Sequence, residues 1–235
     1  MWQAVLDAIE ATGRDEPLDV LDVGGGTGGD AVRLATLGHR VTVVDPSPDA
    51  LASLDRRAAD AGVRDLVTPV LADTSDLGEG VGRAGTDLAL LHGVLEHVED
   101  PVEALRTVAD ALRPTGVLSV VVAGRPAAVL ARALVGDFDG AAAVVGSTAH
   151  DWDLRAQGPR RYVADELAEQ LGRAGLRAVS VAGLRTFADL VPGALVDGEP
   201  GARERLFALE RLVSTSSDFS GISAGLHTIA RLDLS

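Results

Sequence analysis

The chain has 235 residues, 46% of them hydrophobic, and a net charge of −14. That length buries a full core as one domain, and that charge repels a polyanion such as RNA at long range unless the arginines gather on one face. There is no cysteine, which excludes disulfides, thiolate metal sites and cysteine nucleophiles. All 21 basic residues are arginine, a bias that points to GC-rich coding rather than to function. The first residues carry Asp7 and Glu10 and no basic segment, against a signal peptide. The longest apolar run, residues 117–123, is far short of the roughly 20 that span a bilayer. A cytoplasmic protein without a membrane segment is expected.

Residues 1–12 read as an amphipathic helix, with Val5, Ala8 and Ile9 on its apolar side. A short apolar strand, 18–23, then runs straight into Gly24-Gly25-Gly26-Thr27-Gly28-Gly29, and helical spacing resumes through Ala31, Val32, Leu34, Ala35 and Leu37. Such a turn exposes free N–H groups at the positive end of a helix, and its glycines let a ligand approach the backbone. Residues 40–45 form a second strand ending on Asp45, followed by a helix opening at Pro46-Ser47-Pro48. A third strand covers about 66–72, before Asp73 and Thr74, and 78–85 is a glycine-rich loop. Residues 86–92 make a fourth, apolar strand, buried on both faces. Asp100-Pro101 with Glu103 starts a helix whose apolar side includes Val102, Leu105, Val108 and Leu112, and Pro114 stops it. The fifth strand is 117–123. A short helix, 127–135, leads into irregular chain through Gly136-Asp137-Phe138-Asp139-Gly140 and His150-Asp151-Trp152-Asp153. A helix at 163–174, a strand at 177–184, a helix at 202–213 and a strand at 225–232 complete the pattern. Strands alternating with helices imply an α/β, doubly wound, mostly parallel sheet covered on both faces, with ligands at the C-terminal strand ends. No linker or repeat interrupts it, so residues 1–235 read as one domain with a substrate-side insertion at about 124–162.

Two ligands compete for the glycine turn. Gly24, Gly26 and Gly29 satisfy the G-x-G-x-x-G dinucleotide pattern, but Asp22 precedes the first glycine by two residues and Gly28 adds a G-x-G-x-G spacing. Asp45, at the end of the second strand, is placed to accept both ribose hydroxyls of an adenosine; its plainer role is a cap for the helix that follows. Asp73 and Thr74 fall where an adenine edge would lie. His92, Glu96 and His97 are too few, on one turn, to hold a metal, and no metal is expected.

The stretch Leu21-Asp22-Val23-Gly24-Gly25-Gly26-Thr27-Gly28 resembles the first motif of class I S-adenosylmethionine-dependent methyltransferases. His92-Gly93-Val94-Leu95-Glu96-His97-Val98, with Leu112-Arg113-Pro114-Thr115-Gly116-Val117-Leu118, is similar to a second block of that class. The resemblance implies a Rossmann-like methyltransferase fold of seven strands, the last antiparallel. It implies S-adenosyl-L-methionine as cofactor, bound by Gly24, Gly25, Gly26, Asp45, Asp73 and Thr74, with His92 beside its methionine part. Gly136-Asp137-Phe138-Asp139, Gly183-Leu184-Arg185-Thr186-Phe187-Ala188-Asp189, Ala208-Leu209-Glu210 and His227-Thr228-Ile229-Ala230-Arg231 narrow the resemblance. In this order they resemble the bacterial tRNA 5-carboxymethoxyuridine methyltransferases, which methylate the carboxylate of a modified wobble uridine.

Three departures bear on the acceptor. The chain begins too late to supply the family's N-terminal segment, the expected basic loop is replaced by 148–157 with Asp151 and Asp153, and the asparagine expected after the fifth strand is Gly124-Arg125. A carboxylate acceptor is ionised at neutral pH and needs no general base, whereas a phenol or alcohol would need one, with His92, His97 or Tyr162 as candidates. No catalytic base is assigned. Arg185, Arg125 and Tyr162 are the acceptor-positioning candidates, with Arg160 and Arg161 as further cations for an anion. The expected partner is a methyl acceptor, either a modified tRNA or a small carboxylate metabolite. The alternatives are a small-molecule methyltransferase and a non-catalytic donor-binding module.

Overall fold

A computed structural model of the chain describes residues 2–73 and 85–234. Thr74 and nearly all of the 78–85 loop lie outside the described residues. Seven strands, β1 (Asp19–Val23), β2 (Arg40–Asp45), β3 (Val67–Leu71), β4 (Thr86–His92), β5 (Leu112–Ala123), β6 (Leu176–Leu184) and β7 (Gly225–Leu232), form one sheet in the order β3-β2-β1-β4-β5-β7-β6. The last strand is antiparallel. β1 pairs in parallel with β2, Asp19 opposite Arg40 through Val23 opposite Val44, and with β4, Val20 opposite Leu88 through Val23 opposite Leu91. Strand order therefore reverses at β1, and the crevice outside β1 and β4 is where a parallel sheet of this kind takes its ligand.

The chain divides into two compact units, one of residues 1–120, 169–179 and 229–235, the other of 121–168 and 180–228. In the first unit, Val20, Leu34, Val43, Leu54, Leu88 and Val117 belong to one buried cluster. β1, β2 and β4 are buried along nearly all their length, as continuous Val/Leu runs require. The helix Pro48–Asp60 is capped by Ser47, which accepts from Ala50 N at 3.2 Å. The helix Pro101–Ala111 is capped by Asp100, which accepts from Val102 N and Glu103 N. That helix ends one residue before Leu112, expected on its apolar side, because Leu112 already opens β5. Pro114 disfavours helical geometry at Arg113, so the chain extends early; Leu112 is buried all the same. At the opposite end of β1 from the glycine turn, the buried carboxylate of Asp87 pairs with Arg14 and Arg113, and Asp19 pairs with Arg113 at 2.9 Å and Arg40 at 2.7 Å.

In the second unit a helix, Arg125–Leu134, is followed by Phe138–Val145. The latter falls where irregular chain was expected. Two glycines disguise it: Gly136 has φ 82° just before the helix, and Gly140 lies in its first turn, where its N–H donates to Asp137 Oδ1 at 3.0 Å. Ala141 and Val144 are its buried residues. Gly124 sits so close to the Ser223 carbonyl that a Cβ would fall 2.2 Å from its oxygen.

Candidate active site

β1 delivers the chain to Gly24, whose N–H donates to Val44 O at 2.7 Å and whose φ is 69°. A Cβ there would lie 2.5 Å from Val94 Cγ2. Gly28, at φ 73°, precedes the helix Gly29–Thr36, and its carbonyl accepts from Val32 N. The turn is therefore one that only glycine forms without displacing its neighbours. Gly25 is packed against Asp22, and Gly26 N donates to Asp45 Oδ2 at 2.9 Å.

Asp45 has a double attachment. Its Oδ1 accepts from Ser47 N at 2.9 Å while Oδ2 holds Gly26, so one carboxylate ties the glycine turn to β2 and opens the next helix. Each carboxylate oxygen keeps a second lone pair, leaving Asp45 able to accept from a ligand hydroxyl as well. Asp22, buried below the turn, has its carboxyl pushed up to about 7, first by burial and then by the charges of Asp30 and Asp45. His92, half-buried at the end of β4, has Nε2 2.9 Å from Ser119 Oγ.

A cavity of about 720 Å³ opens over this end of the strands, within the range of small-molecule sites. Gly24, Asp45, Asp73, Gly93, Val94 and His97 line it. Of the residues read from the sequence, Gly24, Asp45 and Asp73 line this cavity, Gly25 and Gly26 shape its turn, and His92 stands just before Gly93 at its edge. The apolar contribution of Val44 and Val94 was missed; its signal is the placement of Val44 near the end of β2 and of Val94 in the turn just after β4. Glu99, Asp100 and Glu103 extend the lining, and no arginine joins it among the described residues. An adenosine-bearing donor fits these residues: the turn admits its backbone approach, Asp45 suits ribose hydroxyls, and the valines offer an adenine apolar walls.

The acceptor-side candidates all lie in the second unit but do not all share one place. Arg125 forks onto Glu166 at 2.9 and 2.7 Å, and Glu166 also accepts from Ala149 N. Tyr162 is fully buried; its N–H donates to Ala123 O and its carbonyl accepts from Arg125 N. Arg160 is buried too. Arg185, the one non-glycine residue with positive φ among the described residues, at 53°, is exposed and 3.4 Å from Asp189. Arg185 and Arg161 line a second cavity, of about 200 Å³. The turn carrying Arg185 is held by Glu210, a residue whose role the sequence did not disclose. Its carboxylate accepts from Thr186 N, Phe187 N and Ala188 N at 2.7–2.8 Å.

A family profile described as "Methyltransferase domain" matches residues 2–181. The chain is 34% identical over 139 residues to the tRNA 5-carboxymethoxyuridine methyltransferase of Escherichia coli, covering 59% of this chain and 52% of that one. It is 34% identical over 163 residues to the ubiquinone biosynthesis O-methyltransferase of Caulobacter vibrioides, covering 68% of this chain and 63% of the other. The chain thus spans about half to two-thirds of the length of these curated relatives. Among solved structures it is similar to 1,6-didemethyltoxoflavin-N1-methyltransferase of Burkholderia thailandensis, a complex with S-adenosylhomocysteine. The identity is 25% and the TM-score 0.58, covering 98% of this chain and 76% of that one. With its sheet order, its glycine turn and this profile match over most of its length, the chain belongs to the methyltransferase domain family, in the class I S-adenosylmethionine-dependent fold.

Proposed function

We propose that the chain is an S-adenosylmethionine-dependent O-methyltransferase, a single catalytic domain whose acceptor carries a carboxylate. The observation that supports the donor is the first-unit cavity, which Gly24 lines and where Asp45 presents a carboxylate already anchored by two N–H groups. Its acidic lining favours a cationic sulfonium over the diphosphate of a nicotinamide cofactor. Asp45 accepts the ribose hydroxyls, Asp73 and Val94 border the adenine, and Ser119 orients the His92 ring at the methionine end. When bound, the donor supplies a methyl carbon to which an acceptor oxygen bonds as the S–C bond breaks, the electron pair staying on sulfur. A carboxylate oxygen needs no proton removed, so the chain's task is positioning. Thr74 is assigned to the same adenine edge on sequence grounds alone.

On the acceptor side, an arginine can orient a carboxylate bidentately without protonating it. Arg185 is the cation proposed for this role; Arg125 and Tyr162 act behind it, Arg125 through its fork on Glu166. One observation favours a tRNA acceptor, the similarity to the E. coli enzyme. The charge of −14, with Arg14, Arg40, Arg113, Arg125, Arg203 and Arg205 each paired to a carboxylate, supports a small acid instead. Single-turnover transfer from a methyl-labelled donor, in a cell extract and on bulk tRNA, tests the reading. Label in a base-labile ester is expected, with a rate nearly independent of salt for a small acid and collapsing with salt for tRNA. Donor binding without any transfer would make the chain a binding module.

A further inference from the structure

The cavity of about 200 Å³ in the second unit has a composition that the donor site lacks. One wall is the helix Arg125–Leu134, contributing Ala127, Ala128, Leu130 and Ala131; Leu190 and Ile222 face into the same space. Arg161 and Arg185 join these apolar walls, with Asp189 as the one acid of the lining. Arg161 is half-buried and makes no ion pair among the described residues. Among the described residues Arg185 pairs only with Asp189, at 3.4 Å, with both side chains about half exposed or more. That contact is longer than a charge-assisted hydrogen bond and exposed enough to be worth little. Both arginines are therefore available to a ligand anion that approaches with better geometry.

The frame around them is rigid. Glu210 collects the three N–H groups of Thr186, Phe187 and Ala188, so the left-handed turn at Arg185 is pinned from below. The buried Thr186 hydroxyl meets Ser223 Oγ at 2.8 Å. Gly124 N donates to Ala224 O at 2.9 Å, an approach that any Cβ at position 124 would prevent. A helix of small residues facing such a turn leaves a recess, and the charged edge of the recess has two arginines against one aspartate. An anion with no apolar body would gain nothing from the alanines and leucines, and an uncharged apolar ligand would gain nothing from the arginines.

We propose that this recess binds a small monocarboxylic acid with an aromatic or aliphatic body, its carboxylate on Arg161 and Arg185 and its body against the alanines of the Arg125–Leu134 helix. The proposal rests on the methyltransferase reading only in making that acid the methyl acceptor; the binding itself stands apart from it.

The test uses the full chain, with phenylacetate as probe, phenylacetamide as its uncharged counterpart, and S-adenosylhomocysteine as a control of fold and donor site, each followed by calorimetry. Phenylacetate is expected to bind saturably and phenylacetamide about tenfold more weakly or worse. Arg161→Gln and Arg185→Gln should each weaken phenylacetate by about tenfold. Ala128→Phe, which fills the recess without touching a charge, should abolish it, and none of the three should change binding of S-adenosylhomocysteine. If Ala128→Phe disturbs that control, Ala131→Leu takes its place. Equal binding of acid and amide, phenylacetate binding indifferent to the filled recess, or no saturable phenylacetate binding overturns the proposal. Phenylacetate displaced by tRNA at low salt would assign the recess to a nucleic acid and overturn it equally. A wild-type chain that binds phenylacetate but not S-adenosylhomocysteine would sink the donor reading and leave the recess standing.

Discussion

Asp22 lies buried below the glycine turn, and Asp45 holds the turn through its hydrogen bond from Gly26 N. Asp22 has its carboxyl raised from 3.8 to about 7 by burial, then by Asp30 and Asp45. Between these values the native chain holds a proton that the unfolded chain has released, so raising the pH favours unfolding. Wild-type stability should fall from about pH 4 to pH 7 and then level off, and Asp22→Asn should remove that slope. Urea unfolding at pH 5 and pH 8 measures it; parallel slopes in the two proteins would show Asp22 ionised throughout. Asp45→Ala removes the proposed ribose acceptor and frees Gly26 N and Ser47 N together. Donor affinity should drop by about 1–3 kcal/mol, and calorimetry that finds no drop would confine Asp45 to its backbone bonds. Arg185→Lys keeps the charge and loses the fork. Turnover on an identified acceptor should fall while donor affinity holds; unchanged turnover would remove Arg185 from the acceptor's path.

At the scale of elements, the base of the first unit is held by charge and the turn of the second by a carboxylate clamp. Asp19 is held below its ordinary value first by its hydrogen bond to Arg40, working against burial, and then by Arg113. Burial alone would raise Asp87, but its bonds to Arg113 and to Asp19 N, with Arg14 nearby, outweigh it and leave it lowered. Stability from both groups is present above the unfolded value of 3.8 and is lost as the pH falls through their lower folded values. Arg113→Ala leaves the buried Asp87 with the Arg14 charge and the Asp19 N–H, for a loss of up to about 3 kcal/mol at pH 7 that shrinks in acid; a loss independent of pH would mean packing rather than charge. Most elements were legible in the sequence. β2, β4, β7 and the helix Ala202–Val213 fall where expected, because each is bounded by a glycine, proline or acid with a local reason to stop the chain. The helix Phe138–Val145 was not legible, since its cap is Asp137 and its glycines mimic a loop. Glu210 was seen as part of a motif, but its clamp joins residues more than twenty positions apart, a relation that no local spacing encodes.

For the whole molecule, the residues proposed for the donor share one cavity and those proposed for the acceptor do not, for a physical reason. The cavity proposed for the donor is built from strand ends and one glycine turn, local features in chain order, and Gly24, Asp45 and Asp73 line it. The acceptor-side candidates come from separate segments of the second unit, and Arg125, an acceptor-positioning candidate in the sequence, is held by Glu166. Net charge adds a constraint at this scale: a chain at −14 draws a cationic ligand towards a cavity lined by acids and disfavours a diphosphate. The central claim is therefore tested most directly by calorimetric titration of the full chain with S-adenosylmethionine, S-adenosylhomocysteine and NAD in the same buffer. The account predicts saturable binding of the first two at one site, lost together in a Gly24→Val variant that still unfolds cooperatively, and no measurable binding of NAD. NAD binding tighter than either would contradict it.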